Sequence, residues 1–126
     1  VEEYSDLPDD AKRLVYSLAE IGIEKLVALT DPARNEPRDL YDLWFLLEGD
    51  HVRLAEIHEA FRRKRAFKGH GEEPVGEALA RKEARLKRDW ERRLGGQMTS
   101  LPPFEAVWRS VRRHLRQHGM GGGARD

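Results

Sequence analysis

Two short segments hold the side chains of this chain that could take part in chemistry. The first places Glu20 and Lys25 five residues apart in a helical pattern. The second places Arg38, Asp39 and Asp42 within five residues, next to a run rich in aromatic side chains. Burying so much charge beside apolar surface is costly unless the charges have partners. The two segments therefore predict either a bound ligand or an internal network of ion pairs.

The residue types also allow a purely structural role for these charges. Acidic residues in the first turn of a helix interact favourably with the helix dipole, and Arg38 can pair with Asp42 at the i,i+4 spacing. Lys25 can pair with Asp42 across two helices and so fix a helical hairpin. Taken by themselves, the residues favour this structural role over a catalytic one.

Length and composition limit the class of protein. A chain of 126 residues corresponds to one domain or part of one. Its 23 basic and 23 acidic side chains cancel, so overall charge gives no case for nucleic-acid binding. There is no cysteine, which excludes disulfides and thiolate metal sites. No apolar run reaches the roughly 18 residues of a membrane span. The first residues do not resemble a signal peptide, so we expect a cytoplasmic protein, although the missing initiator Met suggests processing or a fragment.

The first third of the chain predicts a strand followed by a helix. The apolar segment Arg13–Tyr16 is short and partly β-branched, which favours a strand. Ser17 and Glu20 have the spacing of a capping box, which predicts that a helix begins there. That helix is expected to end near Asp31 and Pro32, because a residue before proline disfavours helical geometry.

The rest of the chain predicts an all-α fold of about five helices in a small bundle. After the first helix, further helices are predicted at about residues 37–48, at 51–66 with Asp50 as its cap, at 75–94, and after Pro103. The second of the five is apolar almost all round its later half and should be central. Residues 1–118 are predicted to form a single helical domain, and the glycine-rich residues 119–126 a disordered tail.

The two charged segments resemble motifs of the AbiEii/AbiGii nucleotidyltransferase toxins, which belong to bacterial abortive-infection and related toxin–antitoxin systems. The family's third motif is an aliphatic residue followed by x-Glu-x4-Lys-x2-Ala, where x is any residue. Its fourth motif is Arg-Asp-x-x-Asp. The matching residues here are Leu18, Glu20, Lys25 and Ala28, then Arg38, Asp39 and Asp42. The two motifs stand in the family's order and are joined by a proline-bearing loop, and the match spans about residues 14–47.

The resemblance also shows what this sequence lacks. Family enzymes carry an earlier Gly-Gly-Thr-like turn and an Asp-x-Asp pair that holds the catalytic metal, and neither occurs here. The chain is therefore expected to be the C-terminal helical part of such an enzyme, with the catalytic sheet absent and no activity alone. The segment Arg13–Tyr16 would be the last strand of that sheet. Mg²⁺ and an NTP are expected only for the complete enzyme, with no cofactor for this chain alone.

The resemblance implies roles for individual residues. Lys25 would point to the nucleotide phosphates, and Arg38 would bind a phosphate or a carboxylate. Asp39 or Asp42 would orient or deprotonate the acceptor hydroxyl, or complete the metal site. Glu20 is interpreted as a helix cap. The implied reaction transfers nucleotides from an NTP to a nucleic-acid acceptor such as tRNA.

Several partners and alternatives remain open at this point. A missing nucleotidyltransferase half, an antitoxin or a homodimer mate would cover an exposed apolar patch on the first two helices. RNA could contact either of two basic clusters: a first one of Arg62, Arg63, Lys64, Arg65 and Lys68, or a second one of Arg109, Arg112, Arg113 and Arg116. His114 and His118 have the i,i+4 spacing that permits metal binding, but no third ligand stands beside them. We therefore expect these two histidines to be solvated and not to bind a metal. The alternative function is a non-catalytic interaction module or dimer. A self-sufficient helical protein would instead pair Lys25 and Arg38 only with acidic residues.

Overall fold

A computed structural model describes residues 6–71 and 73–120. Within these residues the chain forms six helices and no strand. They are α1 (Asp9–Thr30), α2 (Pro37–Glu48), α3 (Leu54–Phe67), α4 (Val75–Ala80), α5 (Glu83–Leu94) and α6 (Phe104–Gln117). The predicted all-α fold is confirmed. None of the described helices combines the length and apolar character needed to cross a membrane.

The prediction of an N-terminal strand is wrong, because Arg13–Tyr16 lies inside α1. Pro8 precedes the helix, and Asp9 and Asp10 occupy its first turn, where acidic side chains favour the dipole. A short strand needs a neighbour for its backbone hydrogen bonds, whereas a helix satisfies them internally. The predicted capping box is also wrong, since Ser17 lies in the middle of α1.

Helix α2 begins and ends where the sequence predicts. Pro37 occupies its first turn, and the Glu36 side chain accepts a hydrogen bond from the backbone N–H of Arg38 at 3.1 Å. The helix packs against α1, α5 and α6, and Leu40 and Leu43 are fully buried. Its predicted central position is therefore confirmed.

Two other boundaries differ from the prediction. Asp50 does not cap α3, because it adopts the left-handed conformation (φ +58°) in the turn after α2, and α3 starts only at Leu54. The predicted helix over residues 75–94 is interrupted between α4 and α5 at Arg81 and Lys82. There the backbone N–H of Lys82 bonds to the Leu79 carbonyl at 2.8 Å, which tightens the turn.

The core has two parts that meet at α2. One part lies between α1, α2 and α3, and the other lies between α2, α5 and α6. Helix α1 packs against α2, α3 and α4. The largest fully buried side chains are Trp90 of α5 and Phe61 of α3. Of the predicted tail, Met120 is buried and its N–H bonds to the Leu115 carbonyl at 2.7 Å, while residues 121–126 lie outside the described residues.

Candidate functional site: a charge cluster between the first two helices

The structure brings the residues of the two sequence motifs together. Lys25, on the C-terminal half of α1, lies between the two aspartates at the start of α2. Its Nζ is 2.8 Å from Asp42 Oδ2 and 3.3 Å from Asp39 Oδ1. The pairing of Lys25 with Asp42 across the helices agrees with the structural role considered from sequence.

Arg34 also belongs to this site, and sequence reasoning missed it. Its Nε donates to Asp39 Oδ2 at 2.6 Å, and its Nη2 donates to Asp39 Oδ1 at 3.3 Å. Asp39 is only 2 % exposed, so its charge depends on these donors. Arg34 lies in the irregular loop between α1 and α2, where no periodicity predicts the direction of a side chain.

Arg38 forms the outer edge of the site. Its Nε donates to Asp42 Oδ1 at 2.9 Å, at the predicted i,i+4 spacing. Its Nη1 donates to Gln97 Oε1 at 3.2 Å, so its partners are not only acidic residues. Because the side chain remains half exposed, part of its guanidinium faces solvent. We refer to Lys25, Arg34, Arg38, Asp39 and Asp42 as the charge cluster.

Every cation of the charge cluster remains protonated at neutral pH. Burial by itself lowers the pKa of Lys25, but the hydrogen bonds and charges of Asp42 and Asp39 outweigh it and leave the pKa raised. The hydrogen bond to Asp39 raises the pKa of Arg34, and that to Asp42 raises the pKa of Arg38. The three cations therefore keep their charges throughout the physiological pH range.

The charge cluster suits an anion and does not suit a divalent metal. Three cations face two carboxylates, so its formal charge is positive. Asp39 and Asp42 each pair with two cations, which compete with a metal for their oxygen atoms. Among residues 6–71 and 73–120, no group of three or more acidic or histidine side chains is placed to hold a metal ion. Mg²⁺ therefore does not fit the described residues by themselves.

Lys82 supports the loop that carries Arg34, and no pattern in the sequence indicates this. It is 2 % exposed, and its Nζ donates to the carbonyls of Ala28, Leu29 and Asp31 at 2.9–3.1 Å. These carbonyls lie where α1 ends and the regular helical hydrogen bonds stop. Those of Ala28 and Asp31 also accept from the backbone N–H groups of Asp31 and Arg34, at 3.2 Å each, whereas Lys82 is the donor to Leu29. Lys82 thereby fixes the point at which α1 passes into the loop.

A second polar contact holds the other side of the same loop. The side-chain N–H of Asn35 donates to Asp89 Oδ2 at 3.0 Å, and Asp89 also pairs with Arg88 and Arg92. Arg93 pairs with Glu36 at 2.8 Å. The loop before α2 is thus attached to α5 by side chains distant in sequence, which a search for short motifs does not detect.

An exposed apolar surface adjoins the charge cluster on α1 and α2. Leu14, Ile21 and Phe45 are 61 %, 44 % and 52 % exposed. Leu14 and Ile21 fall on the same face of α1 as Lys25, since their spacings of seven and four residues are helical. Phe45 lies three residues after Asp42 on α2. We refer to these three residues as the apolar face; it agrees with the exposed patch predicted for the first two helices.

The first basic cluster from the sequence is largely neutralised. Arg62 and Arg63 pair with Glu59 at 3.1 and 3.7 Å. Lys64 pairs with Glu24 and, at 2.9 Å, with Glu20, so Glu20 forms an ion pair between α1 and α3 instead of capping a helix. Arg65 does not belong to the surface, because it is 5 % exposed.

The second basic cluster is divided among different contacts. Arg113 and His114 both lie near Glu48 Oε1, at 3.2 and 3.1 Å, and the Ser110 hydroxyl donates to the same oxygen at 2.6 Å. Hydrogen bonds from Ser110 and His114 lower the pKa of Glu48. Arg112 lies over the Trp108 ring. His118 packs against the ring of His58, so the two histidines of α6 have different surroundings.

The comparisons with known proteins give one match. A family model described as "Nucleotidyl transferase AbiEii toxin, Type IV TA system" matches residues 1–110. No curated protein and no solved structure matches the chain. The matched residues include the whole charge cluster and the apolar face.

Proposed function

Because this chain belongs to the AbiEii nucleotidyltransferase toxin family, we propose that it is the helical part of a toxin that transfers nucleotides from an NTP to a nucleic-acid acceptor such as tRNA. In this proposal the charge cluster faces the phosphates of the nucleotide. The observation that carries the proposal is the meeting of Lys25 and Arg38, from two separate motifs, at one positively charged site beside the apolar face.

The chemistry of nucleotidyl transfer explains why cations are needed there. Negative charge moves onto the leaving pyrophosphate, and cations already held in place stabilise it without reorganising. Asp39 and Asp42 hold the Lys25 ammonium group between α1 and α2, so its position is fixed before a ligand arrives. The exposed part of the Arg38 guanidinium can bind a phosphate oxygen in the same region.

The two aspartates are proposed to have different roles. Asp39 is almost fully buried and carries two hydrogen bonds from Arg34, so it acts as a positioning residue for the cations. The side chain of Asp42 is about one-quarter exposed and is the carboxylate that a substrate can reach. Both of its oxygens already pair with cations, so we propose that Asp42 orients the acceptor hydroxyl.

We further propose that this helical part is inactive without a catalytic sheet that supplies the metal-binding aspartates. The sequence has no Asp-x-Asp pair and no Gly-Gly-Thr-like turn. The apolar face would be the surface against which that sheet packs, which would place the NTP and Mg²⁺ next to the charge cluster. An antitoxin is the other partner that membership of a toxin–antitoxin family suggests.

Nucleotide transfer tests this proposal. The product of the complete reading frame and the present chain are each incubated with labelled NTPs, Mg²⁺ and tRNA, and labelled RNA is measured. We expect transfer by the complete product only, reduced at least about 100-fold by Lys25→Ala or Asp42→Ala. Lys87→Ala is the matched control, because Lys87 is exposed and pairs only with Glu105 among the described residues. Wild-type transfer by the folded Lys25→Ala and Asp42→Ala variants would refute the proposed site.

Contact of the RNA acceptor with the first basic cluster is a separate part of the proposal. Arg62, Arg63 and Lys64 would exchange their carboxylate partners for phosphates, and Arg65 would not take part because it is buried. The slope of log K against log salt measures the number of phosphates contacted. A triple alanine variant should reduce that slope, and an unchanged slope would exclude this surface.

The alternative function is a non-catalytic interaction module or homodimer. The observation in its favour is that Lys25 pairs only with aspartates among the described residues, which is enough to explain the cluster as a structural lock. The catalytic function and the dimer are distinguished by measuring the molar mass of the wild type and of Phe45→Glu by light scattering. A dimer that dissociates in this variant, together with no transfer by any form of the protein, would favour the alternative.

A further inference from the structure

A second site lies away from the charge cluster, between the end of α3, the start of α4 and the residues after α6. A cavity of about 450 Å³ opens there. Its apolar wall includes Phe61, Val75 and Met120, and its polar wall includes Arg65 and His58. The volume falls in the range of small-molecule sites, about 300–1,000 Å³. No residue of the charge cluster lines it.

The unusual group in this cavity is the Arg65 guanidinium. Arg65 is 5 % exposed, and its Nε is buried without a hydrogen-bond partner among the described residues. Burial lowers its pKa, while the charge of Glu73 acts in the opposite direction. The ring of Phe61, 5.9 Å from the guanidinium carbon, and the carbonyl end of α3 compensate part of the cost of burying this charge.

The neighbouring acidic residue compensates Arg65 only in part. Arg62 also lines the cavity, but it pairs with Glu59 at 3.1 Å. Among the described residues of the lining, Glu73 is the acidic one, and its Oε2 lies 2.6 Å from Arg81 Nη2 in an ion pair. Once these pairs are formed, one positive charge remains at the cavity wall. An arginine in such a position binds oxyanions well, because its planar fork matches carboxylate and phosphate geometry.

We propose that this cavity binds a small organic anion, whose oxyanion group accepts hydrogen bonds from Arg65 and whose apolar body packs against Phe61, Val75 and Met120. The shared chemistry is a carboxylate or phosphate on an apolar or aromatic group. This inference does not depend on the proposed nucleotidyl transfer, since the two sites share no residue.

Arginine NMR tests the proposal on the intact chain. The Nε–Hε signal of Arg65 in ¹⁵N-labelled protein is followed during titration with phenyl phosphate, benzoate and phenol. We expect phenyl phosphate or benzoate to shift this signal, with phenol at least tenfold weaker, because phenol has the same ring without the oxyanion. The acid that binds identifies the class of anion.

Two variants separate binding at Arg65 from general charge effects. Arg65→Met should weaken binding of the anion at least tenfold. Arg63→Met, which removes an exposed arginine two residues away, should change it less than twofold. If Arg65→Met does not fold, the wild-type Nε–Hε signal still decides. No shift with either acid, or equal binding of phenol, would overturn the proposal.

Discussion

Replacing Lys82 by Met should destabilise the protein and remove a distinctive pH dependence. The substitution keeps an unbranched apolar chain of similar length but removes the ammonium group that serves three carbonyls at the end of α1. The bond to Leu29 is buried and the bonds to Ala28 and Asp31 are partly buried, so water can replace only some of them. Loop 31–36, which carries Arg34, should become more mobile as a result.

The expected size follows from two opposing effects. Lys82→Met leaves the Leu29 carbonyl without its donor, which costs about 2 kcal/mol. The Ala28 and Asp31 carbonyls keep backbone donors but each lose a charge-assisted bond, at about 1.5 kcal/mol apiece, so the three losses come to about 5 kcal/mol together. Against this, burial lowers the pKa of Lys82 from 10.5 to about 8, which corresponds to about 3 kcal/mol of strain on the charged form that Met relieves. The net loss in the free energy of unfolding at pH 7 should be about 2 kcal/mol.

The pH dependence has a definite sign. Between pH 8 and 10.5 the unfolded chain binds a proton at Lys82 that the native protein has released, so Lys82 makes stability rise with pH in this window. The difference between wild type and Lys82→Met should therefore grow above pH 8, by at most about 1.4 kcal/mol per pH unit.

Urea unfolding at pH 7 and 9.5, followed by tryptophan fluorescence, measures both effects. Lys87→Met is the matched control and should leave the free energy of unfolding almost unchanged, because Lys87 is exposed. A Lys82→Met protein as stable as wild type at pH 7 would refute the capping role. A difference that is constant from pH 7 to 9.5 would show that the three carbonyls hold the charged form without penalty.

Three further predictions test the packing around α2. Asp39→Asn should lower the free energy of unfolding by about 2–3 kcal/mol and Asp42→Asn by about 1 kcal/mol, because Asp39 is buried and Asp42 is partly exposed. Equal losses for the two variants in chemical denaturation would contradict this. Ser110→Ala should lower the free energy of unfolding by about 1 kcal/mol, and an unchanged urea unfolding midpoint would contradict this. Glu48 stabilises the native protein through its lowered pKa, and acid unfolding of the wild type should show that this stabilisation is lost as the pH falls below 4.5. Phe45→Glu should change the free energy of unfolding, measured with urea, by less than about 0.5 kcal/mol, since this ring is half exposed. A larger loss would show that the ring is part of the core.

Much of the fold follows from periodicity, and most of the differences come from contacts between distant residues. The boundaries of α2 were predictable because a proline and a glycine mark them. The predicted strand at Arg13–Tyr16 was wrong because four residues do not reveal that a longer helix includes them. The break between α4 and α5 was not predictable from the hydrophobic pattern of residues 75–94. It lies at Lys82, whose side chain binds the end of α1 more than fifty residues earlier in the sequence.

The candidate site was predictable to the extent that it is local. Lys25, Arg38, Asp39 and Asp42 were found because each lies in a short motif, and the structure links all four by ion pairs from Lys25 to both aspartates and from Arg38 to Asp42. Arg34 was missed because it lies in a loop. The buried state of Arg65 was missed because the run of four basic residues was interpreted as one surface cluster. The signal was present, since Arg65 lies four residues after Phe61 and eight after Ile57 and so falls on the buried face of α3.

The structural and catalytic interpretations of the charge cluster are compatible. Ion pairs that join α1 to α2 also hold Lys25 in one place, and a cation held in place before binding stabilises developing negative charge more than a mobile one. The difference between the two aspartates makes this testable. Asp39→Asn should reduce both the stability and the proposed transfer by the product of the complete reading frame, because it releases Arg34 and Lys25. Asp42→Asn should keep most of the stability and still reduce transfer, because its carboxylate is the one open to a substrate. If transfer followed stability alone in both variants, the cluster would be a structural lock, and the substrate phosphates would have to bind elsewhere.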